Sequence, residues 1–403
     1  MPKRVVITSA GIVSPLGNAT GDILHNLRND NISFVRPSFD REVVTCPVKN
    51  FNLKEFTGRF KYSRYLNRGS QLGLAAAIQA VKNSGIDPAD ISEAGIFSGT
   101  GPNLDISAEF PEINNGNPDI ADLPALWILK FLPNTLNSVI AQICGIHGDN
   151  LTINTACAAS LQAIGEAYRK IKDGYLNVAL AGGGDSRINK GGILSYKKAH
   201  ALYSGDLQAD RASRPFDKNR HGFVPGEGGA FFILEELKHA EKREAEIIAE
   251  VCGFGASIDG YNMTAPRPEG IQAEKAIRTA LAEAGVMPDN IGLISSHGTG
   301  TPLNDDAEAD IIERIFKDKK PHVTAIKSWI GHCAAACGAL ELAVCLICMR
   351  NNFIPGIRNL DEPCNKNLNF VRKHENIIFD NVLLENFGFG GQNSALIIKS
   401  YNK

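Results

Sequence analysis

An α/β fold built from two similar, tightly packed halves is what this sequence predicts, on three observations. Short apolar runs alternate with Ala- and Leu-rich helical stretches from end to end. The rhythm is the same before and after about residue 245. No low-complexity linker marks that boundary, so halves 1–244 and 245–403 should pack as one unit.

The elements follow in order. A strand over 4–8 leads into the turn Ala10-Gly11-Ile12-Val13-Ser14-Pro15-Leu16-Gly17 and a helix over 21–28. The Ala-rich stretch 69–83 is a helix, stopped at Ser84-Gly85 by a C-terminal glycine. A strand over 94–98 runs into Gly99-Thr100-Gly101. An irregular, proline-bearing stretch follows over 102–133, with an apolar patch at 126–129. A helix over 134–144 and a short buried strand over 151–155 come next. Leu161, Ile164, Ala167 and Tyr168 then space out one face of a helix over 158–170. After a strand at 177–181, residues 182–228 read as a long, glycine-rich polar loop. A strand over 229–235 and a charged helix over 237–243 close the first half. The second half gives strands over 246–252, 291–296, 322–326, 377–384 and 395–399. Helices are expected over 271–284, 306–316 and 333–350.

Composition narrows the function classes. The 403 residues carry 42 basic and 44 acidic side chains, so no bulk attraction to nucleic acid or membrane is implied. Nine cysteines without framework spacing suit a reducing compartment. Met1-Pro2-Lys3-Arg4 opens straight into a strand without a signal-peptide core, and no apolar run reaches spanning length. Both point to the cytoplasm.

Four stretches carry chemistry. In Asn154-Thr155-Ala156-Cys157-Ala158-Ala159-Ser160, Cys157 falls at a strand-to-helix turn. There the helix end should lower its thiol pKa and favour a thiolate, although a buried structural cysteine is the plain alternative. His297-Gly298-Thr299-Gly300-Thr301-Pro302 follows an apolar strand and presents a histidine to a cleft, with Asp305 and Glu308 placed to orient the loop. Lys327-Ser328-Trp329-Ile330-Gly331-His332 opens a long apolar helix. His332 should stay neutral there, and Lys327 could pair with Glu341 further along. Cys333 and Cys337 raise the question of a metal site, but Cys345 and Cys348 continue the helix as small core residues, so none is expected. Asn386-Phe387-Gly388-Phe389-Gly390-Gly391 lies between two strands, which is the wrong context for a phosphate loop. It reads as a mobile flap presenting Phe389 and a free N–H. The stretches Arg214–Asp217 and 222–228 look like scaffolding around a cleft.

Together these motifs resemble the β-ketoacyl-acyl-carrier-protein synthases, the elongating condensing enzymes with a Cys-His-His triad. The likeness runs from the Gly11–Gly17 stretch to Gly388-Phe389-Gly390-Gly391. It implies a thiolase-like five-layered α-β-α-β-α fold and an acyltransferase. The reaction would be decarboxylative condensation of an acyl group on Cys157 with malonyl-acyl carrier protein. The resemblance further implies that His297 and His332 bind the malonyl carbonyl and that Cys157 and Phe389 supply an oxyanion hole. Lys327 and Glu341 would set the electrostatics around the histidines. Thr299, Thr301, Pro102, Phe387 and Gly390 would contact substrate, and Lys61 and Arg64, in a cluster with Arg59 and Arg68, would dock the carrier protein. No metal or redox cofactor is implied, and the partner is a second copy or a chain-length-factor-like subunit.

The motifs also leave rivals. Ala158-Ala159-Ser160 leans toward type II polyketide or polyene ketosynthases. Pro102 fixes φ near −65°, so the turn 99–104 should be stiff and suit an acyl group of set shape, unsaturated or polyketide-like. A partner subunit without condensing activity normally lacks the nucleophile. A thiolase needs a second catalytic cysteine near the C-terminus, and Cys364 sits in a polar loop.

Overall fold

The computed structural model describes residues 2–105 and 125–401. The expected irregular stretch 102–133 lies partly outside these residues. Among the described residues one sheet holds eleven strands: β1 (Val5–Val13), β2 (Gly95–Gly99), β3 (Asn150–Ile153), β4 (Val178–Ser186), β5 (Glu227–Glu236), β6 (Ala249–Ile258), β7 (Leu293–Ser295), β8 (His322–Thr324), β9 (Asn369–Phe370), β10 (Asn381–Gly388) and β11 (Gln392–Ser400). Their order is β3-β2-β4-β5-β1-β6-β11-β10-β7-β8-β9.

That order contains the same arrangement twice. In the first half β2 is parallel to β3 and β4, while β5 is antiparallel to β4 and β1. In the second half β7 is parallel to β8 and β10, while β11 is antiparallel to β10 and β6. The halves meet where β1 pairs with β6, from Val5↔Val251 to Ile7↔Ala249.

Alternating side chains separate the layers, because successive strand residues face opposite sides. In β5, Ala230, Phe232 and Leu234 face the central core, and Phe231 and Ile233 face an outer layer with the helices Arg68–Ser84 and Thr135–Cys144. In β11, Leu396 and Ile398 face the centre, while Ala395 and Ile397 face the helices Ile271–Ala284 and Pro302–Ile315. Between the two sheet halves lie the helices Ala159–Lys172 and Cys337–Arg350. The second of these is buried from Cys337 to Met349, which explains its lack of a polar face. The result is a helix-sheet-helix-sheet-helix stack.

Several expected boundaries move. The turn expected at Ala10–Gly17 is strand as far as Val13, and only Ser14–Gly17 turns back. Gly11 is required there because a Cβ would overlap the Ala76 carbonyl of the helix Arg68–Ser84. The expected loop after 181 is also strand to Ser186, since Gly184 lies directly against Gly73 of the same helix. Glycine here marks close helix-on-sheet packing rather than a turn. A helix at Lys190–Lys198, capped by Asn189, interrupts the same stretch. The strand expected at 151–155 stops at Ile153 and is an exposed edge, with Leu151 on the surface.

Candidate active site

Cys157 sits in a 3₁₀ turn, Ala156–Ala158, immediately before the helix Ala159–Lys172. Ala156 adopts φ 49°, in the left-handed region, which turns the chain sharply and points Cys157 into a cavity of about 420 Å³. From the second half, His297 enters beyond β7 and His332 follows the short helix Lys327–Ile330. One ligand atom from each of Cys157, His297 and His332 lies within 4.8 Å of the others.

The hydrogen bonds assign the tautomers of both rings. His332 Nδ1 accepts from the Ala334 N–H at 3.0 Å. His297 Nδ1 lies 3.1 Å from Lys327 Nζ and 3.3 Å from Asn386 Nδ2, both donors. Each ring therefore carries its proton on Nε2. Burial, and then the Lys327 charge, push the His332 pKa down to about 3 and that of His297 well below its usual range. Both histidines are neutral hydrogen-bond donors. The expected neutrality of His332 holds, but burial and a lysine produce it rather than a helix dipole.

Lys327 is fully buried and pairs with Glu341 at 2.5 Å, while its Nζ also donates to the His297 carbonyl at 2.5 Å. Burial opposes its charge most strongly, but Glu341 together with Cys337 and Glu308 outweighs it and holds the lysine above its usual range. Asn386 Nδ2 donates to Glu341 at 2.7 Å and so links that pair to His297. Glu308 accepts from the backbone N–H groups of His297 (2.5 Å) and Gly298 (2.8 Å). Asp305 accepts from Thr299, Gly300 and Phe216. These two acids orient the loop, as their positions suggested.

The thiol runs against expectation. Cys157 keeps some surface toward the cavity, yet the protein packed around its sulfur pushes the thiol up to about 11. Lys327 and the Phe389 N–H pull the other way and are outweighed. Desolvation exceeds these opposing effects, so the resting group is a thiol.

The remaining predicted residues divide. Pro102, Thr299, Thr301, Phe387 and Phe389 line the cavity. Gly390 does not, and its N–H donates to the Met263 carbonyl at 2.8 Å. The segment expected as a flap is the tight turn of a hairpin, because β10 and β11 pair as far as Gly388↔Gln392. Lys61 and Arg64 are exposed on a 3₁₀ turn, stacked over Tyr62 and Tyr65. Arg68 leaves their cluster, since it is bound to Glu227 at 2.9 Å. Cys333 and Cys337 lie fully buried, with Cys337 Sγ 3.6 Å from His332 Nδ1. Sequence reasoning missed Asn386 and Phe223, whose ring lies 4.7 Å from that of His332. The scaffold stretch 222–228 contained the one signal for Phe223.

A duplicated α/β stack with a cysteine at one half's central helix and histidines from the other is the thiolase-like fold. Family models extend this to the sequence, the β-ketoacyl synthase N-terminal domain matching residues 2–240 and the C-terminal domain residues 248–361. The chain belongs to the β-ketoacyl synthase family. It is 33% identical over 413 residues to 3-oxoacyl-[acyl-carrier-protein] synthase 2 of Coxiella burnetii, covering 98% of each chain. It superposes on the ishigamide ketosynthase/chain length factor with a TM-score of 0.91 at 30% identity, covering 100% of both. A type II polyketide ketosynthase, solved with its acyl-carrier protein and bound to the hexaketide, gives 0.90 at 25% identity, again covering 100% of both. No helix among the described residues is long and apolar enough to cross a membrane.

Proposed function

We propose that the protein is an acyltransferase that condenses an acyl group, held on Cys157, with malonyl-acyl carrier protein, releasing CO2 and a β-ketoacyl carrier protein. The observation that carries this reading is the triad itself, one thiol and two neutral Nε2–H donors meeting in one cavity. Hydrolysis needs one imidazole as base, whereas two neutral donors suit an enolate oxygen.

In the first step Cys157 Sγ bonds to the acyl carbon and the carrier's thiol leaves. The Cys157 proton passes to the departing sulfur rather than to an imidazole, because both Nε2 atoms already carry a proton. The N–H groups of Cys157 and Phe389 stabilise the oxyanion. In the second step the malonyl carbonyl accepts hydrogen bonds from His297 and His332. The C–CO2 bond breaks, its electron pair becomes the enolate, and the enolate carbon attacks the acyl-Cys157 thioester, expelling the Cys157 sulfur as a thiolate that takes a proton from water. Buried Lys327 and Glu341 keep the histidines neutral and in place. Thr299 and Thr301 bind the phosphopantetheine arm, and Lys61 and Arg64 meet an acidic carrier. The chemistry calls for no metal or redox cofactor.

We assign the nucleophile to the half 1–244 and the histidines to 245–403, and place the protein in the cytoplasm as a homodimer. Fatty-acid elongation is the leading pathway, on the name of the Coxiella relative. The full-length match to the ishigamide ketosynthase/chain length factor favours a second reading, a type II polyketide or polyene ketosynthase paired with a chain-length-factor-like subunit. Mixing the protein with acyl- and malonyl-carrier proteins and weighing the products tests the reaction. A carrier-bound chain longer by two carbons is expected, and free acid without extension would exclude condensation.

A further inference from the structure

Past Cys157 the cavity runs into the first half, and its wall there is charged. Asp185 and Arg187, at the end of β4, are each 5% exposed and pair at 3.0 Å. Asp185 also accepts from the Ser186 N–H at 2.8 Å and, across the halves, from the Ala335 N–H at 3.1 Å. Arg187 Nη1 donates to the Pro102 carbonyl. Both side chains line the cavity with Pro102, Leu104 and Tyr196. They lie near enough to Cys157 to act on its thiol, Asp185 raising its pKa and Arg187 lowering it. The Tyr196 ring meets Phe223 edge-on at 5.0 Å.

None of these groups takes part in the thioester chemistry. A saturated chain pressed on a guanidinium strips its remaining hydration and returns only dispersion, an unfavourable exchange. A conjugated chain offers π-electrons to that cation and to the Tyr196 ring, and a β-oxygen offers an acceptor. Arg187 cannot easily swing aside, because Asp185 and the proline-stiffened turn hold it from two sides.

We propose that Arg187, fixed between Asp185 and the Pro102 carbonyl, is a specificity-determining residue that selects incompletely reduced acyl chains over saturated chains of equal length. The proposal rests on the condensing reading and names its acyl class. The test is the rate of Cys157 acylation, followed by intact mass, with saturated, conjugated dienoyl and β-hydroxyacyl thioesters of one chain length. The native protein should load the dienoyl or β-hydroxyacyl group on the order of tenfold faster than the saturated one, and the two arms tell π-electrons from oxygen as the recognised feature. Arg187→Leu should erase the ratio while still loading the saturated chain. Arg187→Leu combined with Asp185→Asn covers the case in which an unpaired Asp185 prevents folding. A flat or saturated-favouring profile in the native protein overturns the proposal and leaves condensation standing. A preference that survives Arg187→Leu also overturns it. Failure to load any acyl thioester would remove the condensing reading and this inference together.

Discussion

The two central helices begin on the same backbone turn and use it differently. Before the helix Ala159–Lys172, Ala156 takes φ 49°; before the helix Cys337–Arg350, Ala334 takes φ 46°. In each case a 3₁₀ turn follows, Ala156–Ala158 or Ala334–Ala336. The position matching Cys157 is therefore Ala335. A left-handed alanine costs roughly 1–2 kcal/mol, and both halves keep one. The surroundings differ. Beside Cys157 the Phe389 N–H points at the sulfur, whereas the Ala335 N–H is committed to Asp185. The second turn instead presents His332, two residues earlier, with Nδ1 held by the Ala334 N–H. Duplication supplied the geometry twice, and side-chain identity with hydrogen-bond occupancy made one copy present a thiol and the other a neutral imidazole donor.

The largest effect expected comes from removing the thiol. Cys157→Ala should abolish acyl loading, read as loss of the mass adduct, while retaining some malonyl decarboxylation. Adding Ala335→Cys to that variant should not restore loading, since its N–H is already taken. A recovered adduct would show that the turn alone makes a nucleophile and would break the comparison.

Next come the histidines. His297→Ala and His332→Ala should each leave loading intact and slow decarboxylation of malonyl-carrier protein roughly a hundred- to thousandfold, the effect of losing one oxyanion donor. Decarboxylation at the native rate in either variant would remove that histidine from the second step.

The thiol's pKa gives a smaller and graded effect. Burial raises it to about 11, so the thiolate fraction is small at neutral pH and grows as pH rises. Alkylation of Cys157 in the free protein should therefore quicken about tenfold per pH unit on approaching that value. A rate already level near neutral pH would mean that the helix end outweighs desolvation at this turn.

The least change is expected away from both turns. Lys61→Glu with Arg64→Glu should raise KM for a carrier-bound substrate a few-fold and leave that for a small thioester unaltered. Equal effects on both substrates would mean that this surface does not dock the carrier.

Much of the site was legible because its residues sit in short segments whose chemistry is local. A cysteine before an amphipathic helix, histidines just past apolar strands, and a lysine 14 residues before a glutamate on the next long helix all survive as sequence patterns. The alternating strands and helices likewise set the fold class, since side-chain period follows from backbone geometry alone. Tertiary structure decided the rest. Gly11 and Gly184 read as turns until a helix is seen lying on them, and Asn386 gains its role only when folding brings Glu341 and His297 to either side of it. The Arg187–Asp185 pair in the cavity wall was hidden in an apparent loop for the same reason. The sign of the Cys157 shift was misjudged because a helix end is a local feature, whereas desolvation depends on every atom packed around the sulfur. Short-range periodicity and capping are written along the chain, but burial and the meeting of distant polar groups exist only once the two halves close on each other.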